Sequence, residues 1–333
     1  MNATLFCYEN TKDSCIKLYR SNTALLMLYV SCVLTIVFTV IGNLLVIIAV
    51  SHFKVLHSPT NVLTLSLAVA DCMIGLFILP FSSVRSVESC WYFGTSFCFF
   101  HSGLDTCLCL ISVFHLCCIS MDRYYAVCDP LLYPTKVTVS VAFLLAAASW
   151  IIPAIYVFVL TFSRMVEEKM ETLAPELPCL GSCQLVVMRL WGWINFSIFF
   201  IPCFLMLGLY IRIFFIARRQ VKIINSMTEN NTSLRNGSIS KRERKAAVTL
   251  GIAIGIYALC WLPFVIDTII DAFFNFITPP LISDFLNWST YINSACNPII
   301  YGFFFPWFRK VLQIIFTGKI FQPGSSLINL YKE

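Results

Sequence analysis

The sequence predicts an all-α membrane protein, a bundle of seven transmembrane helices followed by a short amphipathic eighth. Three observations carry that expectation. The 333-residue chain is 59% hydrophobic and 12% charged, with a mean hydropathy of +0.82, which is too apolar for an ordinary soluble domain. Apolar runs fall at Leu25–Ser51, Asn61–Arg85, Phe97–Asp129, Thr138–Phe162, Val187–Gln220, Ala246–Phe274 and Pro279–Phe305, and each is long enough to cross ~30 Å of hydrocarbon as a helix. The basic residues are also unevenly divided. With the N-terminus outside, 16 of the 23 Lys and Arg fall in the inner loops and tail, as the positive-inside rule requires. Residues 1–24 are then extracellular, 25–305 form the bundle, and 306–333 form the eighth helix and the cytoplasmic tail.

The segment before Leu25 is polar, so no cleavable leader is expected and the first span serves as the targeting signal. It holds Cys7, Cys15 and a glycosylation sequon at Asn2. Nine acids against seven bases leave the outer face mildly negative, a surface that attracts cations. The first span contains Gly42 and Asn43. The second carries Asp71 near mid-membrane and ends at Pro80. A buried Asp with amide and hydroxyl neighbours suits a small hard cation; equally, it could be protonated and hydrogen-bonded to Asn43 and Asn297.

The third span has an acid, Asp105, near one end and Asp122, Arg123 and Tyr124 at the other. Eighteen residues separate Asp105 from Arg123. As a helix that is five full turns, so both point to one side, about 27 Å apart. Thr106, Cys109 and Ser112 continue a weakly polar strip below Asp105. An acid is costly in lipid and must face the bundle interior, a partner helix or a cationic ligand. No intramembrane Lys or Arg lies at comparable depth.

The fourth span carries Trp150 and Pro153, and the outer loop from Ser163 to Leu185 is acidic and holds Cys179 and Cys183. The fifth has Pro202 and Tyr210. A polar, basic inner loop follows, from Val221 to Lys245, suited to contact with anionic lipid. Pro263, two residues after Trp261, removes a backbone hydrogen bond and gives the sixth span a natural bend. The seventh contains Asn293, Ser294, Asn297, Pro298 and Tyr301. Pro306 to Phe316 has Phe308, Val311, Leu312 and Ile315 on one side and Arg309 and Lys310 on the other, so it should lie on the inner membrane surface.

Taken together, Asn43, Asp71, the Asp122-Arg123-Tyr124 triplet, Trp150, Pro202, Trp261 with Pro263, and Asn297 through Tyr301 occur one set per helix in an order that resembles rhodopsin-like G-protein-coupled receptors. Asn293 and Ser294 before Asn297, with Pro306, Trp307 and Phe308 after Tyr301, resemble the trace amine-associated receptors; Phe305 stands where that family usually has Tyr. The phrases Pro178–Gln184, Trp191–Phe196, Phe276–Leu281 and Asn329–Glu333 look like the family's fifth subtype, which senses trimethylamine.

The resemblance implies that Asp105 pairs with a ligand ammonium and that Tyr291 hydrogen-bonds its carboxylate. Thr106, Cys109, Trp261, Phe264, Val265 and Trp288 would complete the pocket. Aromatic faces attract alkylated ammonium, at ~0.5–2 kcal/mol per desolvated contact. Between Ile194 and Ile198 the only polar groups are Asn195 and Ser197, which suits a small amine with one charge; Asp267 is the one candidate for a second cation site. The resemblance further implies disulfides Cys98–Cys183 and Cys15–Cys179, with Cys7 as rival partner. It implies a sodium ion at Asp71, Ser112, Asn293 and Asn297, and no other cofactor. Its G-protein switch would comprise Asp122, Arg123, Tyr124, Tyr210, Glu243, Asn297, Pro298 and Tyr301, with Glu243 locking Arg123 across helices.

The expected partners are an amine, a stimulatory G protein (Gs or Golf) that raises cAMP, arrestin, a receptor kinase and membrane lipid, but no nucleic acid. The expected location is the plasma membrane, in olfactory cilia. A non-olfactory monoamine receptor of the same fold is the first alternative. A transporter or channel would need repeats or a polar pathway, and no internal repeat is visible. An enzyme is disfavoured because His52, His57, His101 and His115 have no metal-ligand spacing and Ser, His and acid do not converge.

Overall fold

A computed structural model describes residues 5–9, 11, 13–170, 179–183, 197–198, 200–213, 215–216, 219, 252, 255–271 and 278–330, with the side chains of 162–170 and 280 excepted. The chain is an all-α bundle. The first span is α1 (Asn22–His52) and the second is α2 (Pro59–Met73), a π-helical turn (Ile74–Ile78) and α3 (Leu79–Glu88). The third is α4 (Thr95–Cys128). After a short inner helix, α5 (Tyr133–Lys136), comes the fourth, α6 (Val139–Met170). Helical parts of the fifth and sixth spans follow as α7 (Phe200–Ile213) and α8 (255–271). The seventh is α9 (Pro280–Phe304), and α10 (Pro306–Phe316) turns from it by 97°.

Local chemistry sets these limits. Ser21 caps α1 by accepting from the Ala24 N–H, and Ser58 caps α2 through the Asn61 N–H with Pro59 in the first turn. Pro80 has no N–H to give the preceding turn, and the helix widens into the π turn just before it. Extended backbone at Phe305 and Pro306 at the next position end α9 and start α10. Arg309 then donates from Nη1 to the Gly302 and Phe303 carbonyls (3.1 and 2.8 Å), which are terminal acceptors of α9. The inner-surface helix therefore begins and ends where its amphipathic pattern places it.

Burial in α1 is inverted relative to a soluble helix. Leu26, Met27, Val30, Val33, Leu34, Val37 and Phe38 are exposed, whereas Thr39 and Asn43 are fully buried. Lipid makes the outward face apolar, so polar residues collect inside the bundle. The central cluster joins Ala70, Ile74, Ile78, Leu108, Ile111, Met206, Tyr257, Trp261 and Tyr291. Close approach of α1 to α9 requires Gly42: a Cβ there would lie 2.8 Å from Cβ of Pro298, a rigid ring. Gly42→Ala should therefore cost ~1–3 kcal/mol by overpacking and lower the melting temperature in detergent; an unchanged or higher value would show that the two helices can part freely.

A second cluster sits at the inner surface. The chain turns at Gly318 and Gly324, both at positive φ (69° and 81°), and returns beneath α1. Leu330 is buried there with Val50, Phe53, Leu56, Val311 and Ile314. The Ser325 hydroxyl donates to the Ile320 carbonyl (2.7 Å) and lies 2.9 Å from His52 Nε2.

Candidate functional site

Asp105 lies three turns into α4, half-buried. The Tyr291 hydroxyl donates to its Oδ2 at 2.6 Å and the Cys109 thiol approaches Oδ1 at 3.5 Å. Among the described residues no Lys, Arg or His forms an ion pair with it. Tyr291 is 1% exposed and packs edge-on against Trp288 at 5.6 Å. Trp261 stacks on Tyr257 and meets Phe264 edge-on at 6.3 Å. Cys109, Trp261, Phe264, Val265, Trp288 and Tyr291 belong to one apolar cluster. Thr106 is placed differently: its hydroxyl donates to the Ser102 carbonyl of its own helix (2.9 Å), so its donor is already spent.

Asp267 is engaged by neighbouring hydroxyls. Its carboxylate accepts from the Thr278 hydroxyl (2.7 Å) and the Ser283 hydroxyl (3.3 Å), tying the last outer loop to α8 and α9. Asn195 lies outside the described residues, as do most of the second outer loop and the sequon at Asn2.

Disulfides close the outer mouth: Cys98–Cys183, Cys15–Cys179 and Cys7–Cys90. The rivalry between Cys7 and Cys15 is thus resolved by a partner, Cys90, that the sequence reading did not pair. The backbone of 5–7 pairs with that of 15–17, Ser14 and Cys15 pair with Leu180, and Arg20 donates to the Ser86 and Val87 carbonyls. Lys17 forms an ion pair with Glu88, a contact that raises the ammonium pKa above its ordinary value.

Mid-bundle, Asp71 is fully buried and accepts from Ser112 (3.0 Å), Ser294 (2.8 Å) and Asn297 (2.7 Å). Ser294 occupies the place at this carboxylate that the sequence reading gives to Asn293. One residue rotates a helix by about 100°, and α9 also contains Pro298. Asn43 does not reach Asp71; it donates to the Thr39 and Ser294 carbonyls (2.9 and 3.1 Å).

At the inner end Asp122 accepts from Thr60 (2.7 Å), Tyr133 (2.8 Å) and Arg123 Nε (2.8 Å), and Arg123 also reaches Thr60. Burial raises the Tyr133 phenol above its ordinary pKa. Tyr124 and Tyr210 pack around Val127 and Ile213. Tyr301 meets Phe305 and Phe308 edge-on. Glu243 lies outside the described residues.

A helical bundle with a carboxylate facing inward from its third span and an Arg-acid pair at the inner end fits a membrane receptor. The family profile of the 7 transmembrane receptor (rhodopsin family) matches residues 42–301, and the chain belongs to that family. Within it, relatives that cover nearly the whole chain include trace amine-associated receptors. The chain is 49% identical to trace amine-associated receptor 5 of Mus musculus, over 99% of this chain and 96% of that one. It is 49% identical to trace amine-associated receptor 9 of Mus musculus (98% and 95%) and 47% to trace amine-associated receptor 6 of Homo sapiens (99% and 97%). These near-equal values place the chain among trace amine-associated receptors without singling out a subtype. Such a chain is a multi-pass plasma-membrane receptor for a small molecule, signals through a G protein and is not an enzyme.

Proposed function

We propose that this receptor responds to small, singly charged, weakly polar amines of the trimethylamine type, and couples to a stimulatory G protein (Gs or Golf) to raise cAMP in olfactory cilia. The observation that carries the ligand class is Asp105: a carboxylate inside a largely apolar bundle, oriented by Tyr291 and lacking a cationic partner among the described residues. A buried charge of that kind needs compensation, and an ammonium supplies it. The surrounding aromatic rings favour alkylated nitrogen over a group rich in N–H donors. In α8, Asp267 is engaged by two hydroxyls and Asp271 by the Thr278 N–H, so both acids already serve the last outer loop.

The ligand acts by binding one packing better than another. In the closed packing Arg123 is engaged by Asp122 and Thr60, and Glu243 adds a lock from the end of the inner loop that precedes the sixth span. An amine at Asp105 favours the rearranged packing of Trp261, Asn297, Pro298 and Tyr301 that opens the inner face to the G protein, and then to receptor kinase and arrestin. Sodium favours the closed packing: Asp71, Ser112 and Ser294 converge as oxygen donors suited to a small hard cation.

The test is a cAMP assay in cells expressing the receptor, across methylamine, dimethylamine, trimethylamine and phenylethylamine. Potency should rise with methylation and peak at trimethylamine. A receptor most sensitive to phenylethylamine would instead be the monoamine receptor of the same fold.

A further inference from the structure

Asp105 and Tyr291 do not end the hydrogen-bond chain. The Ser82 hydroxyl, fully buried on α3, lies 3.2 Å from the Tyr291 hydroxyl. On its other side is His101 Nε2, at 3.5 Å. His101 is 1% exposed and stands one helical turn before Asp105 on the same side of α4. It is boxed in by Trp91, Phe81 and Phe97, whose rings lie 5.2, 6.1 and 6.3 Å from its own.

The acceptors fix the direction of this chain. Tyr291 has one proton, and a carboxylate oxygen at 2.6 Å can only accept it. At the contact between Tyr291 and Ser82, therefore, Ser82 must donate. Nε2 of His101 also lies 3.3 Å from the Ile78 carbonyl, which only accepts, so that nitrogen carries the ring proton and presents it to Ser82 as well. Nδ1 is then left as an acceptor, and it is buried with no partner among the described residues. Every proton points from His101 through Ser82 and Tyr291 toward Asp105.

We infer that Ser82 and His101 are positioning residues for the amine counter-ion: they hold the Tyr291 hydroxyl aimed at the Asp105 carboxylate before a ligand arrives. With Ser82 donating, Tyr291 has its lone pair occupied and no reason to turn its proton away from Asp105. Asn287 Nδ2, at 3.4 Å from the same hydroxyl, is a longer substitute. Aligned donors strengthen one another in a low-dielectric interior, so loss of the Ser82 link loosens the carboxylate and weakens amine binding without touching the amine. The Ser82 effect should exceed that of His101, whose proton is shared with Ile78.

This inference rests on the reading of Asp105 as the amine site. The experiment measures cAMP concentration–response curves to trimethylamine at matched surface level for wild type, Ser82→Ala, Tyr291→Phe, the double variant and Asp105→Asn. Removing one ordinary hydrogen bond predicts an EC50 about fivefold higher for Ser82→Ala. In the Tyr291→Phe background the same change should shift EC50 by no more than about twofold, because coupled residues are non-additive. Ser82→Thr should restore wild-type potency, and His101→Phe should have no further effect once Ser82 is Ala. Equal shifts in both backgrounds, or none in either, overturn the inference. Should Ser82→Ala fail to reach the surface, Ser82→Cys keeps the volume and weakens the donor, and the same coupling is read from it. A full response from Asp105→Asn would instead remove the amine-site reading; a silent Asp105→Asn beside an uncoupled Ser82→Ala would remove only the positioning role.

Discussion

Asp105→Ala should abolish the amine response while the receptor still reaches the cell surface. The carboxylate is the charge an ammonium would meet, and removing one member of a desolvated charged pair costs about 2–5 kcal/mol or more, a potency loss of ~30-fold to several thousand-fold. Folding should suffer far less. Among the described residues Asp105 makes no ion pair, so its removal leaves no opposite charge stranded; only the Tyr291 hydroxyl and the Cys109 thiol lose a partner. Asp105→Asn sharpens the result, because it retains an acceptor for Tyr291 and lacks the charge. The measurement is trimethylamine-evoked cAMP against surface abundance by antibody to an extracellular tag. Wild-type potency in either variant would end the pocket hypothesis.

Asp122→Asn should raise ligand-free cAMP at equal surface expression. The Asp122 side chain has no solvent exposure and gathers Thr60, Tyr133 and Arg123 around it. Neutralising it removes hydrogen bonds to a charged group, at about 1.5–3 kcal/mol. If the closed packing alone contains this cage, that energy is a differential between the two states and moves the equilibrium by ~10-fold or more. Arg123, freed from the acid, becomes available to the G protein. Tyr133→Phe, which deletes one donor and leaves the charge, should raise the baseline in the same direction by less. A flat baseline in both variants would show that the cage is kept in the active packing too.

The all-α fold class was legible because lipid leaves little choice. Long apolar runs must be helices, and Pro306 breaks one run from the next. The Asp105–Tyr291 contact could be anticipated from the family's pattern, whereas spacing alone could not have brought α4 and α9 together. The role of Ser82 escaped notice for a specific reason. The π turn at Ile74–Ile78 rotates everything after it, so a count at 3.6 residues per turn from Asp71 misplaces Ser82. Ser294 was missed beside Asn293 because adjacent residues differ by about 100° around a helix. Cys90 gave no signal of its partner, since pairing depends on how the N-terminal segment lies across the outer mouth.

The mooring of residues 318–330 beneath the first span bears on what can reach Ser325. Ser325 is 5% exposed, with its hydroxyl already committed to Ile320 and facing His52. A kinase can reach that oxygen only after its surroundings open, and the segment that carries it is anchored at Leu330, in an apolar seat with Phe53 and Val311. A phosphate added there carries close to two negative charges and could not be reburied in that seat. Phosphorylation at Ser325 would thus hold the strap off, turning a brief unfastening into a lasting one until a phosphatase resets it.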